Sequence, residues 1–218
     1  MNPELVLRQI GEIGVIPVIR ASTSQHALDA VEAIEAGGIP IAEITMTVPD
    51  AIATIREVVA RCGDRVLVGA GTVSNALQAR ECLNAGAQFL VSPGLSVAVL
   101  EVARALGALA IPGALTPTEV MAAEEAGVRA VKIFPVGSVG GPKYIRALRG
   151  PFPDLRFIPT GGVSPANAAE YFAAGAFAIG MGGDLIDAQA LREGRKHEVV
   201  QVCRAVGETV RSARQKPR

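Results

Sequence analysis

The amino-acid sequence predicts an α/β fold, a single (β/α)8 TIM barrel over residues 1–218 with a short N-terminal helix. Three observations carry that prediction. Eight β-rich runs recur along the 218 residues with starts 20 to 27 positions apart, the spacing of one strand-helix unit. Between them lie stretches rich in Ala, Glu, Arg and Leu with helical periodicity, several ending in glycine just before the next run. No G-x-G-x-x-G follows the first run, where an open doubly wound sheet carries its fingerprint.

The elements follow in order. Residues 1–14 (MNPELVLRQIGEIG) read as a short helix closing the bottom of the barrel. The strand runs are 15–20 (VIPVIR), 41–47 (IAEITMT), 66–72 (VLVGAGT), 89–94 (FLVSPG), 109–114 (LAIPGA), 130–135 (AVKIFP), 157–163 (FIPTGGV) and 178–184 (AIGMGGD). Helix stops are expected at Gly37, Gly86, Gly107, Gly127 and Gly175, because glycine accepts the left-handed conformation that ends a helix. Helix starts are marked by Thr116-Pro117-Thr118-Glu119 and Ser164-Pro165-Ala166-Asn167. The segment after Asp184 supplies the last helices. No linker, low-complexity tract or charge run suggests a second domain.

Composition narrows the function. With 21 basic residues against 21 acidic ones, the chain lacks the electrostatic footprint that nucleic acid or an anionic membrane surface requires. No apolar run approaches the roughly 20 residues of a membrane span, and the N-terminus lacks the layout of a signal peptide. A cytoplasmic protein is expected. Cys62, Cys82 and Cys203 are odd in number and widely spaced, so they read as reduced packing residues. His26 and His197 are too far apart in the chain to suggest an imidazole metal site. The expectation is chemistry without metal or cofactor.

In such barrels the chemistry lies at the carboxyl ends of the strands. Alternation puts Glu43, Thr45 and Thr47 on one face of the second run, a polar set that a filled interior does not need. Ala130, Lys132 and Phe134 share a face of the sixth, and Ile16, Val18 and Arg20 one of the first. Only four lysines occur, at 132, 143, 196 and 216, and Lys132 alone lies in an apolar strand, Val-Lys-Ile-Phe. Desolvation there disfavours the ammonium form and favours a nucleophilic amine that can add to a ketone. Alternatively, the stem packs while the head reaches the barrel mouth or pairs with Glu43. Glu43 is correspondingly either a general acid and base beside that amine or the salt-bridge partner that makes it tolerable. Thr160-Gly161-Gly162 and Gly180-Met181-Gly182-Gly183 end the seventh and eighth runs, where this fold commonly cradles phosphate, or where tight turns simply need glycine. Arg20 either clamps a substrate carboxylate or pairs with an acid at the rim.

Taken together, EITMTVPDA (43–51), GAGTV (69–73), VSPG (91–94), IPGALTPTE (111–119), VKIFP (131–135), GPFPDLRFIPTGGV (150–163) and SPANAAEYFAAG (164–175) resemble the 2-keto-3-deoxy-6-phosphogluconate aldolases, which often also cleave 4-hydroxy-2-oxoglutarate. The likeness keeps the motifs in order from about residue 15 to 184. It implies a homotrimeric barrel that uses no metal and takes a 2-keto acid through a lysine imine. Lys132 matches the imine lysine and Glu43 the catalytic glutamate of that family. Thr72, Pro93, Phe134, Thr160, Gly161 and Gly162 match positions lining its substrate pocket. Two positions depart from the pattern. Thr47 stands where many members have a carboxylate-binding arginine, and the resemblance assigns that role to Arg20 instead, as in members sharing the TVPDA text. Gly182-Gly183-Asp184 replaces a phosphate-touching serine, which weakens the case for a phosphorylated substrate. Two other functions fit the barrel itself: a phosphate-binding isomerase or synthase in which Lys132 only pairs with substrate, and a non-catalytic keto-acid binder.

Overall fold

The computed structural model describes residues 2–215, so Lys216 falls outside it. Asn2 caps the first helix, α1 (Pro3–Ile13), by accepting from the Glu4 N–H at 2.9 Å, and Pro3 occupies the first turn, where a missing N–H costs nothing. Val6, Leu7 and Ile10 form its buried face, and Gly14, at φ 81°, releases the chain into β1 (Val15–Ile19). The remaining strands are β2 (Ile41–Thr45), β3 (Leu67–Gly71), β4 (Phe89–Val91), β5 (Leu109–Ile111), β6 (Gly113–Ala114), β7 (Ala130–Ile133), β8 (Arg156–Pro159) and β9 (Ile179–Met181). Every strand pair is parallel, and the connecting segments supply α2 (Ser24–Ala36), α3 (Ala51–Cys62), α4 (Ala76–Asn84), α5 (Val97–Ala105), α6 (Pro117–Glu125), α7 (Pro142–Arg149) and α8 (Ala168–Ala173).

One sheet runs β5-β4-β3-β2-β1-β9 and a second β6-β7-β8. β5 and β6 are halves of one stave, interrupted at Pro112, which has no N–H for the ladder but still accepts from the Lys132 N–H at 2.9 Å. A parallel bridge between Thr160 and Gly180 joins the other edges and closes the barrel. The eight predicted staves are thus present as nine segments. After β9, α9 (Ala188–Arg192) leads to α10 (Lys196–Gln215), which packs on α2 and α8. No helix among the described residues is long and apolar enough to cross a membrane.

Several sequence expectations shift by a residue or a turn. Gly86, Gly107, Gly127 and Gly175 have positive φ as expected, but at the end of α2 the left-handed residue is Gly38. Gly37 has an ordinary φ of −77° and is glycine for another reason: a Cβ there would stand 2.3 Å from the Cys203 Cβ of α10. Thr116 and Glu119 form the reciprocal cap at α6. The Ser164-Pro165-Ala166-Asn167 start yields turns first, and α8 begins only at Ala168 because the Asn167 side chain is bent back to accept from the Ser164 N–H at 2.9 Å. β2 ends at Thr45 and β9 at Met181, earlier than the runs suggested, since the chain turns at both points.

The barrel interior changes character along its axis. At Gly69 a Cβ would stand 2.2 Å from the Phe89 ring, so that ring fills the space above β3. Two residues nearer the carboxyl end, at Gly71, the atoms filling the corresponding space belong to Glu43. Apolar packing therefore gives way to polar groups where strand-end chemistry is expected.

Candidate active site

Glu43 lies beside Val18 of β1 and Gly69 of β3, and Lys132 beside Gly113 of β6 and Ile158 of β8. These strands are far apart in sequence, yet the closed barrel turns both side chains inward. Lys132 Nζ and Glu43 Oε1 stand 4.0 Å apart. The residues are only 3 % and 2 % exposed. Lys132 Nζ also sits over the Phe134 ring, 5.1 Å from its centroid. Of the other described lysines, Lys143 is exposed and Lys196 pairs with Asp29 and Glu32 at 2.6 and 2.9 Å.

The geometry weighs against a simple structural salt bridge. At 4.0 Å the pair attracts electrostatically but exceeds hydrogen-bond length, and Glu43 Oε1 finds no hydrogen-bond partner. A buried ion pair offsets its desolvation only with close geometry and satisfied lone pairs, and this one has neither. Burial pushes the Glu43 carboxyl above the ordinary glutamate range, while the charges of Lys132 and Arg20 pull it partly back.

Arg20 follows β1 directly and is exposed. Its Nη1 lies 3.3 Å from where a Cβ of Gly182 would stand, so the guanidinium rests on the loop after β9. Among the described residues no carboxylate lies within 4.0 Å of it, which removes the reading of a rim residue already paired with an acid.

Thr72 follows Gly71 at φ 58°, a left-handed conformation that a β-branched residue adopts only where its surroundings impose it. Phe134 and Gly161 are in contact: a Cβ on Gly161 would stand 3.1 Å from the ring. Thr160 is buried, its hydroxyl donating to Ile158 O at 3.3 Å, and its Oγ1 fills the space beside Gly180, where a Cβ would lie 2.3 Å away. Gly161 and Gly162, at φ 81° and 84°, make the turn that leaves β8. Pro93 is exposed at the rim, with its carbonyl 2.2 Å from a Cβ position on Gly113. Gly183 is exposed with nothing within 4 Å of its Cβ position.

Thr45 and Thr47 serve the scaffold. The Thr45 hydroxyl donates to Ile19 O at 2.9 Å, so in its 2.7 Å contact with Thr47 it accepts. That chain fastens β2 to β1. Sequence reasoning missed the part played by Gly71, Gly113 and Gly180, whose absent side chains make room for Glu43, Pro93 and Thr160. The available signal was glycine at inward positions of strands, where it weakens the strand unless something else needs the space.

A parallel barrel whose carboxyl-end interior holds an amine and a carboxyl together, out of water, defines an enzyme of the barrel class that works on a carbonyl substrate. A profile of the aldolase family described as KDPG and KHG aldolase matches residues 6–202. The chain belongs to that family. It is 38 % identical over 190 residues to the KHG/KDPG aldolase of Escherichia coli K12, covering 87 % of this chain and 89 % of that one. It is 37 % identical over 190 residues to the 2-dehydro-3-deoxy-phosphogluconate aldolase of Dickeya dadantii, again covering 87 % and 89 %. Its fold superimposes with a TM-score of 0.86 on the crystal structure of KDPG aldolase from Legionella pneumophila, a structure with pyruvate captured at low pH as a covalent carbinolamine intermediate. That match has 31 % identity and covers 92 % of this chain and 97 % of that one.

Proposed function

We propose that this chain is a class I, metal-independent aldolase that cleaves a 2-keto-4-hydroxy acid reversibly to pyruvate and an aldehyde through an imine on Lys132. The observation that carries the reading is the Lys132–Glu43 pair, 4.0 Å apart and buried, with one carboxyl oxygen unpartnered. Family membership supports the substrate class, 2-keto-3-deoxy-6-phosphogluconate or 4-hydroxy-2-oxoglutarate. The pyruvate carbinolamine in the Legionella pneumophila relative supports the covalent step.

The neutral Lys132 amine adds to the C2 ketone, and the carbinolamine hydroxyl, protonated from solvent, leaves as water to give a protonated imine that withdraws electrons from C3. Glu43, as carboxylate, takes the C4 hydroxyl proton. The C3–C4 bond breaks, the C4 carbonyl forms and departs as aldehyde, and the bonding pair becomes an enamine on the three-carbon fragment. Protonation of C3 restores the imine, and hydrolysis releases pyruvate and the free amine. Arg20 and Thr72 hold the keto acid's carboxylate, Phe134 and Pro93 wall the amine, and the loops at Thr160-Gly161-Gly162 and Gly182-Gly183 receive the distal group.

The functional unit in this reading is a cytoplasmic homotrimer. Large exposed apolar side chains on three successive helices support self-association: Leu77 of α4 is 66 % exposed, Val97 of α5 57 % and Met121 of α6 51 %. Three free, buried cysteines accord with a reducing compartment. Borohydride reduction in the presence of pyruvate tests the imine. Mass spectrometry is expected to find the reduced adduct on Lys132 and none in Lys132→Met, whereas an unmodified wild-type chain that still turns over overturns the mechanism.

A further inference from the structure

We infer that Gly71 is a positioning residue for Glu43: the side chain missing at position 71 is the recess that holds the carboxyl beside Lys132. The inference rests on the reading above, in which Glu43 moves the proton. A Cβ at Gly71 would stand 2.0 Å from Glu43 Oε1 and 2.7 Å from both its Cδ and its Cγ, closer than side-chain atoms approach. The carboxyl, rather than a movable tip elsewhere, fills the space a methyl group would need.

Backbone freedom does not explain this glycine. Gly71 is an ordinary residue of β3, in register with Thr45 of β2, and it is not among the positive-φ glycines. Its carbonyl accepts from the Met46 N–H at 2.8 Å, a bond that alanine retains. Packing economy does not explain it either, since glycine in a strand interior is less favourable than alanine. The same device recurs where Phe89 fills the space at Gly69 and Thr160 the space at Gly180, but at Gly71 the group accommodated is ionisable. A methyl group there forces the Glu43 carboxyl to swing away from its 4.0 Å station at Lys132.

The test is a double-mutant cycle of Gly71→Ala and Glu43→Gln, with the pH profile as a second readout. Gly71→Ala is expected to lower kcat/KM by about 100-fold or more, within the range of a lost general acid–base group. Because the effect runs through Glu43, the same change in the Glu43→Gln background should cost less than about 3-fold. The residual pH profile should show the acid limb moved toward the ordinary glutamate value, as a carboxyl displaced from its dry site beside Lys132 and Arg20 regains water. Near-wild-type turnover of Gly71→Ala beside a disabled Glu43→Gln overturns the inference alone, as does an equal loss in both backgrounds. Wild-type turnover of Glu43→Gln overturns the role of Glu43, and the inference with it. Should Gly71→Ala not fold, Gly71→Ala with Glu43→Ala is compared with Glu43→Ala: recovered folding supports the recess, and continued failure overturns it.

Discussion

Glu43 Oε1 faces Lys132 Nζ across 4.0 Å inside the barrel, both groups almost wholly removed from water and neither bonded to the other. The separation leaves the carboxyl free to exchange a proton with a substrate atom, and burial raises its affinity for that proton. In the proposed mechanism cleavage needs the carboxylate, so kcat/KM should fall as the pH drops through the Glu43 value. Because that value is raised, the fall should begin above the ordinary glutamate pKa of about 4.3. A pH profile of the wild-type enzyme checks it, with Glu43→Gln as control. The limb should vanish in the variant, and a wild-type limb at or below the ordinary value contradicts the assignment.

Arg20 offers a second reading of the same group. Its positive charge holds Glu43 lower than burial alone would. Arg20→Met should therefore move the acid limb to higher pH. The guanidinium has no carboxylate partner among the described residues, so the variant should lose a charge-assisted contact with the substrate carboxylate worth about 1.5–3 kcal/mol, or roughly 10- to 150-fold in KM. Steady-state kinetics over a pH series separates the two effects. An unchanged KM returns Arg20 to the status of a solvated rim residue.

The parts of this site differ in how far sequence could disclose them. Lys132 is visible as an anomaly, a lysine within an apolar strand, and Glu43 as a carboxyl on the inward alternation of another. Their meeting is an expectation of the barrel and of neither segment by itself, because β2 and β7 are brought together only by closure of the whole barrel. Gly37 and Gly38 illustrate the limit in the scaffold. Gly37 reads as the helix stop, but Gly38 carries the left-handed φ while Gly37 admits α10, a division that the position of Cys203 explains. Pro112 is legible as a missing donor, yet whether a barrel tolerates it depends on what its neighbours do with the gap. Gly71 belongs to the same group, since its reason is a side chain on the adjacent strand.

The loop after β9 bears on the choice between phosphorylated and unphosphorylated substrates. Gly183 and Asp184 are exposed, and the space around the Gly183 Cβ position is open, so a serine fits without displacing anything. A hydroxyl there adds a donor for a phosphate oxygen, and removing the Asp184 charge lessens repulsion of a dianion. Gly183→Ser and Asp184→Asn should each raise kcat/KM for 2-keto-3-deoxy-6-phosphogluconate by roughly 10-fold, the scale of one charge-assisted hydrogen bond. Turnover of the unphosphorylated analogue should stay unchanged. Parallel kinetics on the two substrates tests this, and equal effects on both remove the loop from distal-group recognition.

Arg214 allows stability to be separated from catalysis. Near the end of α10, its guanidinium donates to the Gly11 carbonyl, to Glu12 O at 3.1 Å and to Phe177 O at 2.6 Å, and it lies 5.3 Å from the Phe172 ring centroid. These contacts fasten the last helix to α1 and to the turn before β9, at the amino end of the strands. Methionine keeps much of the side chain's length but offers no donor, so Arg214→Met loses hydrogen bonds to exposed carbonyls that water can satisfy instead. The expected cost is about 1–2 kcal/mol, which for a chain of this size lowers Tm by roughly 2–8 °C. The Lys132–Glu43 pair lies toward the opposite end of the strands, so kcat/KM at 25 °C should match wild type. Thermal melts and kinetics on one preparation decide the point. A fall in kcat/KM without a fall in Tm shows that the far end of the barrel is coupled to the Lys132 site, because nothing at Arg214 touches the groups that handle substrate.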